Sequence, residues 1–133
     1  ERLMIINASL PGSGWVKLAC GSYVGTGTHG EDNKNTVDVG FEPKLFFIFK
    51  DDPGSDGKGD FFVTSQDGCG LWVVGRDALL AISGSSNIRL TRPCNVSGTV
   101  VGWYLSYGNA ADYMLAGYQL NDSGTTYRWF ALG

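Results

Sequence analysis

Leu45-Phe46-Phe47-Ile48-Phe49 is an unbroken run of five large apolar residues held between Lys44 and Lys50. A strand with one face in water alternates apolar and polar residues, because successive side chains point to opposite faces. This run does not alternate, so it reads as a strand covered on both faces. One face belongs to the core of the domain. The other needs a second cover, either another part of the chain or a neighbouring subunit, since an exposed run of this kind pairs with other chains. The flanking lysines act as gatekeepers against such pairing. Phe46 and Ile48 are therefore candidate subunit-interface residues.

Around this run the chain reads as many short strands. Its 20 glycines among 133 residues show no fixed period. They mark tight turns, where glycine reaches backbone angles closed to other residues. Cys20 to Val24, Thr36 to Val39, Lys44 to Lys50, Phe61 to Thr64, Gly70 to Val74, Leu79 to Ile82, Ile88 to Thr91 and Thr99 to Trp103 read as strands at intervals of about ten residues. Asn109 to Met114 reads as a helix of at most two turns, capped by Asn109 and stopped by Gly117. Leu115 to Leu120 and Thr125 to Leu132 read as a hairpin about Asn121-Asp122-Ser123-Gly124. In its second strand Tyr127, Trp129 and Ala131 share one face, which makes Tyr127 and Trp129 core or subunit contacts. The expected fold is all-β: an antiparallel sandwich of short strands with long surface loops. Residues 1–14 read as an entry segment and 15–133 as the sandwich domain. The chain opens on Glu1 rather than methionine, which suggests a piece of a longer protein.

Several function classes are disfavoured. Ten basic against 13 acidic residues give a net charge of −3, without the basic face a nucleic-acid or membrane-surface binder presents. No apolar stretch approaches the roughly 20 residues that span a bilayer. The three cysteines, Cys20, Cys69 and Cys94, are odd in number and form no CxxC pair, which predicts free thiols rather than a disulfide framework or zinc site. The three Asn-x-Ser sites, at Asn7, Asn95 and Asn121, matter only in a secretory pathway. His29 is the single histidine; it sits in a polar loop expected to be flexible, with no nucleophile elbow, phosphate loop or dinucleotide fingerprint elsewhere. Glu31, Asp32, Asp51, Asp52, Asp56 and Asp60 lie among glycines and lysines. They lack the apolar setting that raises the pKa of a catalytic acid, and the spacing of Asp52, Asp56 and Asp60 is not that of an EF-hand. The reading is non-enzymatic, with no cofactor and no metal.

The aromatic content, 13% of residues with four tryptophans and six tyrosines, is the positive lead. Such rings serve sugar stacking and protein interfaces. Trp72, Trp103, Tyr104, Tyr107 and Tyr113 lie near predicted loops or edges. The candidate recognition loops are 25–35, 51–60 and 104–112. The ligand-binding candidates are His29, Glu31, Asp32, Asn33, Asp52, Asp56, Trp72, Tyr104, Tyr107 and Tyr113.

Three segments carry a family resemblance. Gly117 to Gly133, read as GYQLNDSGTTYRWFALG, resembles the C-terminal ending of tail-fibre and minor tail proteins of tailed phages: leucine-asparagine, a Ser-Gly turn, Thr-Tyr, then aromatic and apolar residues to a final glycine. Gly21 to Gly27, GSYVGTG, and Val37 to Lys44, VDVGFEPK, resemble the same group's GSYTGNG and VGFKPK patterns. The matches occur in the right order. Arg128 and Trp129 stand where tyrosines are more usual, and Asp51 to Ala111 matches nothing in the pattern. The resemblance implies a homotrimeric fibre tip on a virion. It would be assembled in the bacterial cytoplasm, joined to the remainder of the tail fibre, and would bind a bacterial surface glycan or protein. A free-standing carbohydrate-binding module or lectin, a small depolymerase, and a fibre-trimerisation cap without ligand are the competing readings.

Overall fold

The alternation expected in the last strand is present and organises the core. In β10 (Thr126–Leu132) Tyr127, Trp129 and Ala131 are buried, and the residues between them are exposed or half-buried. The computed structural model describes residues 4–10, 14–51, 69–80, 90–108 and 112–133. The earlier strands are β1 (Met4–Leu10), β2 (Gly14–Val24), β3 (Asn35–Asp38), β4 (Leu45–Lys50), β5 (Cys69–Val73), β6 (Leu90–Thr91), β7 (Cys94–Ser97), β8 (Val100–Trp103) and β9 (Tyr107–Gly108). A single short helix, α1 (Asp112–Tyr118), precedes β10. All described pairings are antiparallel: a five-stranded sheet ordered β1-β2-β10-β4-β5, a three-stranded sheet β3-β8-β7, and a β6-β9 ribbon. The fold is an all-β sandwich. Among the described residues no helix is long and apolar enough to cross a membrane.

The two larger sheets meet through one apolar cluster. Ala19, Phe46, Ile48, Trp72, Tyr127 and Trp129 come from one sheet, Val37, Cys94, Val101 and Trp103 from the other. Phe46 sits between two tryptophans, with ring centroids 5.8 Å from Trp103 and 5.7 Å from Trp129. Such tilted pairs add about 0.5–1.5 kcal/mol beyond area burial. Trp129 Nε1 is buried with no hydrogen-bond partner. Cys69 and Cys94 are buried, Cys20 is half-buried, and none of the three forms a disulfide.

Several expectations change. The entry segment 1–14 contains β1, which pairs with β2 from Met4↔Cys20 to Leu10↔Gly14 as an edge strand. The C-terminal hairpin does not form. Gly117 is inside α1, and β10 pairs with β2 and β4 instead. β7 is an additional strand, and in place of a strand at Leu79 the chain makes isolated bridges at Ala78, to Pro93, and at Leu80, to Leu71. Phe61 to Thr64, Ala81–Ile82, Ile88–Arg89 and Asn109 lie outside the described residues.

The apolar run itself alternates in burial. Phe46 and Ile48 are 0% exposed and belong to the chain's own core, as do Tyr127 at 0% and Trp129 at 1%. These four cannot meet a partner subunit, because the opposite sheet already covers them. The outward residues of the same strands include Leu45, Phe47, Phe49, Phe130 and Leu132, half-buried, and the exposed Arg128, which pairs with Asp51. The phenylalanine rings touch, with centroids 5.9 Å apart for Phe47–Phe49 and 5.3 Å for Phe47–Phe130.

Phe46→Ala should lower stability by about 3–5 kcal/mol, and Phe47→Ala on the outer face by clearly less, read as shifts of the urea midpoint at constant slope. Burial pushes the Cys94 thiol up to about 12. In the native protein a thiol reagent at pH 8 should therefore label Cys20 first and leave Cys94 unmodified until denaturant is added.

Candidate functional site

Helix α1 ends in a strained turn that positions two buried amides. The Asn121 amide N–H donates to the Ala116 carbonyl at 2.8 Å and that of Leu120 to Gly117 at 2.9 Å. This is the bonding of a helix C-terminal cap whose left-handed residue is usually glycine. Here that residue is Leu120, with φ of 65° and a side chain 0% exposed. A left-handed non-glycine residue costs about 1 kcal/mol or more, and burial of the leucine in the core offsets it.

Gln119 and Asn121, on either side, bind the polar loop that follows β2. Gln119 Oε1 accepts from the Gly30 and Leu105 amides, both at 2.8 Å. Its Nε2 donates to the Asn33 carbonyl at 2.8 Å and to Asn35 Oδ1 at 2.9 Å. Asn121 Nδ2 donates to Thr26 Oγ1 and the Thr28 carbonyl, both at 2.8 Å. Its Oδ1 accepts from the Thr26 amide at 3.0 Å. All the polar capacity of both amides is in use. Three aromatic side chains fix the segment from the core side. Trp103 Nε1 donates to the Gln119 carbonyl at 2.8 Å, Tyr23 Oη to the Leu120 carbonyl at 2.6 Å, and the Tyr127 oxygen accepts from the Asp122 amide at 3.1 Å. Gly25 completes the joint. A Cβ there would lie 2.0 Å from the Asp122 carbonyl oxygen, so only glycine fits. The loop expected to be flexible is pinned along its length.

Two depressions flank β3. One, of about 300 Å³, lies between the end of β2 and β3. Its Thr26, Thr28, Asn35 and Asn121 side chains already hydrogen-bond one another. The other, of about 510 Å³, lies over the outer face of the three-stranded sheet. Thr36, Gly102 and Asn95 form one cross-strand row of its floor, with Ser97 and Val100 beside it. Tyr104, Lys34, Asp77 and Pro93 wall it, and the Lys34 ammonium lies 5.3 Å from the Tyr104 ring centroid. The side chains of Thr36, Asn95 and Ser97 make no hydrogen bond among the described residues. At the end of β3, the Asp38 carboxyl is held below its ordinary range by hydrogen bonds from the Thr99 hydroxyl and the Gly40 amide.

The expected site residues divide between these places. His29 is half-buried in the pinned loop, and Glu31, Asp32 and Asn33 form its exposed single turn of 3₁₀ helix. Tyr104 is in the larger depression. Trp72 is 4% exposed and its Nε1 donates to the Arg76 carbonyl; it is a core residue and offers no ring to a ligand. Tyr107 lies on β9 and Tyr113 on α1, with side chains outside the described residues, as are Asp52 and Asp56 altogether. Sequence reasoning missed Thr36, Asn95, Gly102, Gln119 and Asn121, and included Lys34 only as part of the candidate loop 25–35. The one legible signal was Gly102, a glycine inside an otherwise apolar strand. Among the described residues no three His, Cys, Asp or Glu side chains gather as metal ligands.

No family model, no curated protein and no solved structure matches this chain.

Gln119→Ala leaves the Gly30 and Leu105 amides without their acceptor, at about 1–3 kcal/mol for each buried group left unpaired. The variant should lose at least about 2 kcal/mol on that basis, with faster hydrogen exchange at those two amides. Burial, then the neighbouring Tyr127, raises the Tyr23 phenol well above its ordinary value. Its contribution to stability is therefore complete below pH 10 and is lost as pH rises further. Tyr23→Phe should flatten the alkaline limb of the stability profile, followed by urea titration between pH 8 and 11.

Proposed function

We propose that this domain is a non-catalytic adhesion module, the receptor-binding tip of a phage tail fibre, which attaches to a glycan or protein on a bacterial surface. The observation that carries the reading is the pinned loop 25–35 beside a depression in which the side chains of Thr36, Asn95 and Ser97 make no hydrogen bond among the described residues. Recognition loops that are ordered before contact lose less entropy on binding, and side chains free of internal bonds are available to a ligand. The near-neutral balance of charge suits a receptor other than nucleic acid.

The resemblance adds the virion setting and the homotrimer. A trimer gains avidity from three weak sites without new contacts. The half-buried outer face of β4 and β10 favours this over a free-standing carbohydrate-binding module, because a contiguous apolar sheet face is suited to contact with another copy.

Fluorescently labelled protein should bind a subset of a bacterial strain panel, and the purified surface polysaccharide or receptor protein of a bound strain should compete. Binding to no strain overturns the reading, and release of oligosaccharide would mark a depolymerase. Light scattering should give the mass of a trimer. Phe47→Glu, on the outer face, should convert that species to a folded monomer with at least tenfold weaker cell binding from lost avidity, within the roughly 10²–10⁴ range of such effects.

A further inference from the structure

We propose that the depression over the three-stranded sheet is a subsite for one uncharged sugar ring, lying on the backbone at Gly102 and against Tyr104. The proposal rests on the adhesion reading and gives it a ligand class. Its starting point is a glycine that the fold does not need. A Cβ built on Gly102 meets Thr36 Cγ2 at 3.7 Å and the Asn35 and Asn95 carbonyl oxygens at 3.8 Å. All three are ordinary contacts, and the backbone there is not left-handed. Glycine in a strand interior is less stable than alanine by roughly 0.5–1 kcal/mol. Inside this chain a side chain would be both tolerated and favourable. Glycine in a strand also lets another molecule approach the backbone closely, and at Gly102 the outer face is open.

The groups around that bare floor specify the ligand. Asn95 offers both donor and acceptor, and Thr36 and Ser97 each offer a hydroxyl that can serve either way. This mixture complements sugar hydroxyls, which are likewise both donors and acceptors. Tyr104 supplies an aromatic wall, whose π-face attracts the polarised C–H groups of a sugar ring. Lys34 stands over that ring, and Asp77 also lines the depression. With Asp38 on the same face of β3, the local charge does not favour an anionic sugar. An extended peptide is also disfavoured. Peptides add to sheets along an unpaired edge, whereas this depression lies on the face of the sheet, centred on β8, which is paired on both sides. The volume of about 510 Å³ lies in the range of small-molecule sites.

The test is an amide NMR titration with the methyl glycosides of glucose, galactose, mannose and N-acetylglucosamine, against glucuronate and N-acetylneuraminate. At least one neutral glycoside should shift the amides of Thr36, Asn95, Gly102 and Tyr104. Gly102→Leu should weaken that binding at least tenfold, with Tm equal to or above that of the native protein. Asn95→Ala, whose exposed side chain makes no internal hydrogen bond, should weaken it too and serves if Gly102→Leu loses stability. The proposal is overturned if no neutral glycoside shifts these amides, if a charged sugar binds more tightly, or if both variants keep native affinity. Whole-cell binding separates the two levels. Equal binding of cells by native protein and Gly102→Leu keeps adhesion and removes this subsite. Native protein that binds no cells removes adhesion itself.

Discussion

Three consecutive residues, Gln119, Leu120 and Asn121, hold the polar loop after β2 to the rest of this sandwich. The left-handed turn at Leu120 is unfavourable alone, yet its side chain is fully buried and its carbonyl accepts from Tyr23. The core therefore enforces the turn, and the turn sends the two flanking amides towards the loop after β2. Each amide bonds to backbone and side-chain groups more than eighty residues away in sequence. Because both are buried, removal of any one partner leaves an unsolvated polar group, which makes the joint cooperative.

This joint gives the glycine-rich motifs a structural meaning. Gly25 to Thr28 meets Asn121 to Thr125 through backbone hydrogen bonds, including the Gly25 amide to the Thr125 carbonyl at 2.8 Å and the Gly27 amide to the Asn121 carbonyl at 2.7 Å. The final Gly133 exchanges two backbone bonds with Lys17 and packs on Phe41, where a Cβ would lie 2.4 Å from the ring. These glycine-rich segments are thus fixed joints of the frame. The residues that would touch a receptor lie elsewhere, on the outer face of β3, β8 and β7 and in the pinned loop.

The two faces of the sandwich differ in chemistry. The outer face of the five-stranded sheet is apolar and ring-lined at Phe47, Phe49 and Phe130. The outer face of the three-stranded sheet is polar, with a bare backbone at its centre. Hydrophobic contact between copies suits the first and directional hydrogen bonding the second, so assembly and recognition need not compete for one surface.

The sequence by itself determined the all-β class, the shared face of Tyr127, Trp129 and Ala131, and the presence of Tyr104 near a surface feature. Those are properties of local pattern: side-chain alternation and turn chemistry depend on neighbours in the chain. It misjudged the direction of the Leu45–Phe49 run, since five apolar residues in succession carry no period to say which face is inside. Only the tertiary structure decided that Phe46 and Ile48 face the core, that Trp72 is a core residue, and that a polar loop is rigid. Each of those depends on a partner distant in sequence: Trp103 and Trp129 for Phe46, Gln119 and Asn121 for the loop. Pairing of that kind arises from strand order, and no local spacing encodes it.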